Sequence, residues 1–342
     1  MIIISNRNRK EISLTRFFVV LVTLLFSIQI TSIAQNGPGG VGNFDGSNGQ
    51  PQNVMWFSAE NLSLSDTDPV SLWSDLSGNG NDASQGIAAS QPLYRTGEIN
   101  GLPAIVFDGT DDFLPFDGSL ITNSNYTVIL VGARQTNSGF EAFLGGTTSS
   151  ANQNLHIYWN GTSQFRAHHY GNDLQTNMVL TSEPYSDGTN IGEYGIFTTL
   201  LSSTDAANQR RNYQNNFLLG TRSNSAQLSS YLGSSFGRYN TGYYDVNAAE
   251  VIIFSDALND AQLQVIYEYL GNKYGITIFN DLFNPTAGYN TNIIGIGEET
   301  NGEHSESNSS GLYLTALSGL TVGDYVFASH NNAPNGSSDF RT

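Results

Sequence analysis

Cysteine is absent from the 342 residues, which excludes disulfide staples, cysteine-ligated zinc, iron–sulfur clusters and thiol catalysis together. Basic residues are scarce. Thirteen Lys and Arg face 30 Asp and Glu, and the net charge of −17 repels phosphate backbones and anionic lipid headgroups. Nucleic acid is therefore not an expected partner. Only nine prolines stand against 36 glycines with no G-X-Y period, which rules out a collagen helix and a stiff proline-rich rod. What remains is 39% hydrophobic residues, enough for one large domain with a partner or for two smaller ones, and a glycine content that suits many tight turns.

One apolar run stands apart. Residues 17–30 follow Arg7, Arg9, Lys10 and Arg16 and lead to the small-residue site Ser32, Ile33, Ala34. This is the pattern of a secretory signal peptide over residues 1–34, cut after Ala34, and the run falls short of the ~20 residues a membrane span needs. No later stretch is apolar enough to span, so no membrane insertion is expected after cleavage. Cleavage removes four basic residues and one acidic one, leaving 9 against 29 and a net charge of −20. Export without cysteine fits a bacterial secreted or outer-surface protein.

Residues 35–52 are Gly, Asn, Pro and Ser with little to bury, and read as a flexible linker. From residue 53 onward, short blocks rich in Val, Ile, Phe, Tyr and Trp alternate with Gly, Asn, Asp and Ser clusters, the pattern of an all-β sandwich or barrel. Residues 126–133 and 248–254 are nearly continuous apolar runs, as expected of central strands covered on both faces. Leu155, Ile157 and Trp159 alternate with His156 and Tyr158, Asn160-Gly161 follows, and Phe165, Ala167 and His169 alternate with Arg166 and His168. That reads as a hairpin with a type I′ turn at the Asn-Gly pair. One helix is expected, opened by a capping box at Asn259 and Gln262, striped by Leu263, Ile266, Leu270 and Tyr274, and stopped at Gly275. After residue 285 a thin β pattern resumes at 292–296, 311–314 and 325–330, the start of a second, incomplete β domain over 285–342 of a longer protein.

Three blocks come in a fixed order: Trp73 to Ala83 (Trp-Ser-Asp-Leu-Ser-Gly-Asn-Gly-Asn-Asp-Ala), Asn100 to Leu114 (Asn-Gly-Leu-Pro-Ala-Ile-Val-Phe-Asp-Gly-Thr-Asp-Asp-Phe-Leu), and Ala249 to Asp260 (Ala-Glu-Val-Ile-Ile-Phe-Ser-Asp-Ala-Leu-Asn-Asp). Together they resemble the laminin-G-like branch of the concanavalin A-like lectin/glucanase superfamily in bacterial secreted proteins, over about residues 53–278. The resemblance implies a jelly-roll sandwich of two antiparallel sheets, one of them concave, with the helix after the last strand. Residues 286–330 resemble the start of a domain of unknown function that follows such sandwiches in large surface proteins.

The superfamily hosts lectins, adhesion modules, glucanases, lyases and inert spacers, so site chemistry has to decide. Retaining glucanases of this kind carry two carboxylates on one strand face in an E-x-D-x-(x)-E motif. None is present: Glu250 is followed by Val-Ile-Ile-Phe and reads as a pairing or edge residue. The R-[ST]-E-x-R lyase motif, a G-x-S-x-G elbow, an H-E-x-x-H helix and a P-loop are also missing. No catalytic residue is assigned.

Two acidic clusters offer oxygen ligands. Asp75, Asn79 and Asp82 match the first half of a calcium loop but lack its closing glutamate, and an Asx-turn set explains the same spacing. Asp108, Asp111 and Asp112 sit where some members of the resembled superfamily bind calcium, with turn chemistry the equal alternative. For a glycan, the platforms are Tyr158, His168 and Tyr170 on the polar-alternating face of the hairpin, with Tyr239, Tyr243 and Tyr244 in the loop before the last strand. Trp56, Trp73 and Trp159 fall in apolar contexts and are expected in the core. Alternation sends His168 and His169 to opposite faces, which argues against one shared ion. The expected function is a noncatalytic carbohydrate-binding or adhesion module of a secreted or cell-surface bacterial protein, with a polysaccharide, a surface glycan or another surface protein as partner. A polysaccharide hydrolase or lyase, and a spacer without ligand, are the alternatives.

Overall fold

Short strands separated by turns carry most of the described residues in the computed structural model, which describes residues 37–137, 139–179 and 190–279 and two three-residue strands beyond them. In chain order the first nine strands are β1 (Asn53–Ser58), β2 (Leu72–Trp73), β3 (Ala83–Ser84), β4 (Leu93–Ile99), β5 (Leu102–Asp108), β6 (Leu114–Pro115), β7 (Tyr126–Arg134), β8 (Glu141–Gly145) and β9 (His156–Asn160). The next nine are β10 (Gln164–His168), β11 (Leu174–Asn177), β12 (Gly195–Leu201), β13 (Arg210–Gln214), β14 (Phe217–Arg222), β15 (Ser235–Phe236), β16 (Arg238–Tyr239), β17 (Gly242–Tyr243) and β18 (Asp245–Phe254). They build an eight-stranded sheet ordered β14-β13-β12-β7-β18-β5-β4, with β1 also on β18, and a six-stranded sheet ordered β11-β10-β9-β8-β15-β6. All pairings within these two sheets are antiparallel.

The two sheets share one core. Phe57 of β1 meets Phe236 of β15 at 5.6 Å, and Phe197 of β12 meets Trp159 of β9 at 5.2 Å and Phe165 of β10 at 5.1 Å. The other face of the eight-stranded sheet lies under the helix Asp260–Tyr274, where Leu263, Ile266, Leu270 and Tyr274 join Ile129, Val131, Ile252 and Phe254 in a second cluster. The apolar runs in β7 and β18 follow from this: both strands are central and covered on both faces. In β7, Val128 and Leu130 point to the shared core while Ile129 and Val131 point to the helix.

A bulge between Ala248 and Glu250 breaks the alternation in β18. Val246 and Ala248 face the shared core before it, and Val251 and Ile253 after it. Strict alternation would have driven Glu250 into that core; the extra residue turns it to the helix side instead. There its carboxylate accepts from Trp56 Nε1 (2.8 Å), Tyr269 OH (3.2 Å), Lys273 Nζ (2.8 Å) and Tyr274 OH (2.7 Å). Glu250 is thus a buried structural carboxylate. Trp73 and Trp159 lie in the shared core as expected, but Trp56 does not: it is half-buried on the helix side, tied to Glu250.

The helix keeps the expected ends. Asn259 Oδ1 accepts from Gln262 N at 2.9 Å, Gln262 Oε1 accepts from Asn259 N at 3.0 Å, and Gly275 closes the helix at φ +66°. The hairpin is present, with a different turn. Asn160 pairs with Gln164, so the loop has three residues, 161–163, and only Gly161 of the Asn-Gly pair takes positive φ.

Residues 37–52, expected as a flexible linker, are packed against the folded unit. Val41 is buried in the helix-side cluster, Asn53 N donates to Asn43 O at 2.8 Å, and Ser255 N donates to Gln52 O at 3.2 Å. The segment holds on by backbone hydrogen bonds rather than by apolar bulk. Gly42 allows it, since a Cβ there would stand 2.7 Å from the Phe254 ring. Beyond residue 279, Ile293–Gly295 and Phe327–Ser329 pair in parallel, within the segment read as a second β domain. The signal peptide, its cleavage site and residues 311–314 lie outside the described residues.

Candidate functional site

Of the four broad sheet faces, two meet in the shared core and one lies under the helix, which leaves the outer face of the six-stranded sheet. In β9 and β10 the residues Ile157, Trp159, Phe165 and Ala167 are core, so their neighbours point outward. Register sets them in three rows. Asn160, Gln164 and Asn177 form the first; Tyr158, Arg166 and Gln175 the second; His156 and His168 the third, which Asp173 continues at 3.9 Å from His168 Nδ1. Every one of these side chains can make hydrogen bonds.

An aromatic wall stands along one side. The β16–β17 hairpin lies over β8, where Gly145 makes the room: a Cβ on it would meet Tyr239 at 2.8 Å. Tyr239 then covers His156 at 3.9 Å, and Phe140 links Tyr158 (4.1 Å), Tyr239 (5.4 Å) and Tyr244 (5.3 Å). Tyr170 stands edge-on to His156 at 4.6 Å. Five of the six aromatic residues expected to meet a glycan therefore come together: Tyr158, His168, Tyr170, Tyr239 and Tyr244. Tyr243 does not join them; it packs against Phe113 at 6.0 Å. Tyr158 is no free platform either, being 3% exposed beneath Phe140. Its hydroxyl instead ties the second and third rows, 3.1 Å from His168 Nδ1 and accepting from Arg166 Nη1 at 3.4 Å.

Burial shapes the titration of this face. His156 is pushed down to about 3 by burial, with His168 adding to the effect, and so stays neutral. His168 is also lowered by burial, against the opposing pull of Asp173. His169 points to the interior, as alternation requires. Its Nε2 is 2.6 Å from Tyr126 OH and its Nδ1 2.7 Å from Arg210 Nη2, and burial with that guanidinium holds it well below its ordinary value.

Both acidic clusters make Asx-turn contacts, and in the second Asp108 Oδ1 accepts from Thr110 N at 2.8 Å and Asp112 Oδ2 from Asp108 N at 3.1 Å. Asp75 is occupied as an acceptor by Trp56 N, Ser77 N, Ser77 Oγ and Asn81 N, all within 2.7–2.9 Å. Asp82 accepts from Asp75 N at 2.8 Å, and Asn79 spends its amide donor on Asn53 O and Ser77 Oγ. These contacts form an Asx-turn set that pins the loop to β1. Asp108, Asp111 and Asp112 bring one carboxylate oxygen each within 4.8 Å of one another. Asp112 is raised to about 6 by burial, with Asp108 and Asp111 adding repulsion. No Lys, Arg or His among the described residues makes a salt bridge to any of the three.

His156, Phe140, Asn160, Gln164, Arg166 and Asp173 belong to the face and were not singled out from sequence. The alternation that placed His168 outward applies equally to His156, Gln164 and Arg166, so those three were findable. Phe140 and Asp173 lie outside the strands and carry no such signal.

No protein-family model matches the chain, and no curated protein sequence matches it. Among solved structures it is similar to Trypanosoma rangeli sialidase in complex with the inhibitor DANA, at 13% identity and a TM-score of 0.44 over 65% of this chain and 33% of that one. It is similar to domain 4 of an extracellular arabinanase from Geobacillus stearothermophilus in complex with arabinotriose, at 14% identity and a TM-score of 0.45 over 63% and 97%. It is also similar to botulinum neurotoxin type C, at 11% identity and a TM-score of 0.43 over 64% and 51%. The chain thus spans about a third of the sialidase's length. Likeness at this level assigns neither a family nor a ligand.

Proposed function

We propose that the protein is a noncatalytic carbohydrate-binding or adhesion module, exported through the signal peptide to the cell surface and built as a concanavalin A-like jelly roll. One observation carries the reading: the sheet face that neither the second sheet nor the helix covers among the described residues bears rows of amides, Arg166, His168 and Asp173 beside an aromatic wall. Sugars offer hydroxyls to the first and flat C–H faces to the second. Two polar atoms at the foot of the wall, His156 Nε2 and Tyr170 OH, are buried without a hydrogen-bond partner among the described residues. A shift of Tyr239 that opened them to sugar hydroxyls would gain bonds the protein leaves unmade.

The noncatalytic part of the reading rests on carboxylates. Glycoside hydrolysis ordinarily takes two flanking the scissile bond, and these rows contain Asp173 alone. Glu250 is committed to Lys273 under the helix. The Asp108, Asp111 and Asp112 oxygens fit calcium: hard ligands, one of them buried, with no salt-bridged cation among the described residues. They would hold the ion as a brace for the loop. Retention of the protein on immobilised polysaccharide with no release of reducing ends supports the module; release of reducing ends would support an enzyme, and neither would support a spacer.

A further inference from the structure

Arg166 is the only cationic Lys or Arg in the three rows of the outer face and holds their middle position, cross-strand from Tyr158 on one side and Gln175 on the other. Its neighbours orient it without neutralising it. Gln164 Oε1 accepts from Nε at 3.1 Å and also from Nη2, and Tyr158 OH accepts from Nη1 at 3.4 Å. Both are neutral oxygens. No carboxylate among the described residues makes a salt bridge to Arg166, in a chain where acidic residues outnumber basic ones by 30 to 13. The nearest acidic member of the face, Asp173, is one row away and stands against His168. A half-buried guanidinium oriented by neutral acceptors presents a planar donor fork to a planar anion.

We infer that this face selects a carboxylate-bearing sugar, a glycan of the uronate class, and that Arg166 is the residue that takes the carboxylate. The inference rests on the glycan-binding reading above and narrows it. Uronates join the two features of the face in one residue: a ring for the amides and the aromatic wall, and a carboxylate for the fork. The net charge of the chain works against a polyanion at long range, so the selectivity has to come from contact. At physiological salt, screening within about 8 Å leaves contact as the deciding effect.

The test is calorimetric titration of the full chain with matched tetrasaccharides, mannuronate against mannose and galacturonate against galactose, in 0.15 M salt. At least one uronate is expected to bind about tenfold more tightly than its neutral counterpart, the range of a charge-assisted hydrogen bond. Arg166→Gln should erase that preference, bringing uronate and neutral-sugar affinities to within about threefold of each other, and Arg166→Lys should restore part of it. Equal binding of acidic and neutral sugars by the unmodified chain overturns the inference and leaves the glycan module standing. A preference for sulfated sugars without uronate binding, or a preference that survives Arg166→Gln, also overturns it. No binding of any sugar overturns both.

Discussion

The carboxylate of Glu250 and the ammonium of Lys273 lie 2.8 Å apart in the seam between the central strand β18 and the last turn of the helix. Glu250 is 1% exposed and reaches that seam because of the bulge at its own strand position. Removing Glu250 strips Trp56, Tyr269 and Tyr274 of a shared acceptor and leaves Lys273 only the half-exposed Glu60 at 3.0 Å, a loss of about 3–5 kcal/mol. Glu250→Ala is therefore expected to lower unfolding free energy in urea by about that amount. A loss under 1 kcal/mol would show that the helix is held by its apolar stripe alone.

Phe236 sits within 4.5–5.8 Å of Phe116, Phe143, Phe57 and Trp73, in the layer where the two sheets meet. Phe236→Ala should cost about 3–5 kcal/mol in the same measurement. The next residue allows a sharper check: Gly237 has φ +75°, and a Cβ there would clash with the Phe107 ring. Gly237→Ala should be destabilising although it only adds a methyl group.

Acid should loosen the protein through its buried histidines. His156 is held at about 3 and His169 well below the ordinary 6.5, so the unfolded chain takes up protons before the folded one does. Their contribution is complete above pH 6.5 and is lost as pH falls toward the folded values. At pH 5 each costs up to about 2 kcal/mol. Melting temperatures from pH 7 to 4.5 should fall, less steeply in His156→Gln.

Calcium should raise the melting temperature at pH 7, and Asp112→Asn should abolish the rise. Asp112 works opposite to the histidines: raised to about 6, it favours the folded state as protons are added between pH 6 and 4 in chelator. Protons and calcium compete for the same oxygens, so the calcium effect should fade below pH 6. A melt indifferent to millimolar calcium would reduce the cluster to a turn.

The covered central strands β7 and β18 and the β9–β10 hairpin were legible because apolar blocks and turn residues alternate, and the helix was legible down to its cap, whereas the polar strands β4, β11 and β13 carry no apolar block. The packing of residues 37–52 was not, since backbone hydrogen bonds and the close approach at Gly42 leave no hydrophobic pattern. The bulge at Ala249 was equally silent: a strand of ten apolar-leaning residues does not say where its alternation slips, and Glu250 changes sides on that slip. At the site, the aromatic residues attracted notice and the amides did not. Gln164 and Arg166 shared the period of His168, while the meeting of Tyr239 with His156 comes from chain-distant loops that only the fold brings together.

The central claim is that the outer face of the six-stranded sheet binds glycan, and affinity electrophoresis through gels containing polysaccharide tests it most directly. At least one polysaccharide should retard the protein. Tyr239→Ala should weaken that retardation about three- to tenfold, the worth of one stacked ring, while Arg95→Ala, at an exposed ion pair with Asp66 on the other sheet, should leave it unchanged. Mobility unaffected by every polysaccharide, or retardation that Tyr239→Ala does not reduce, would contradict the account.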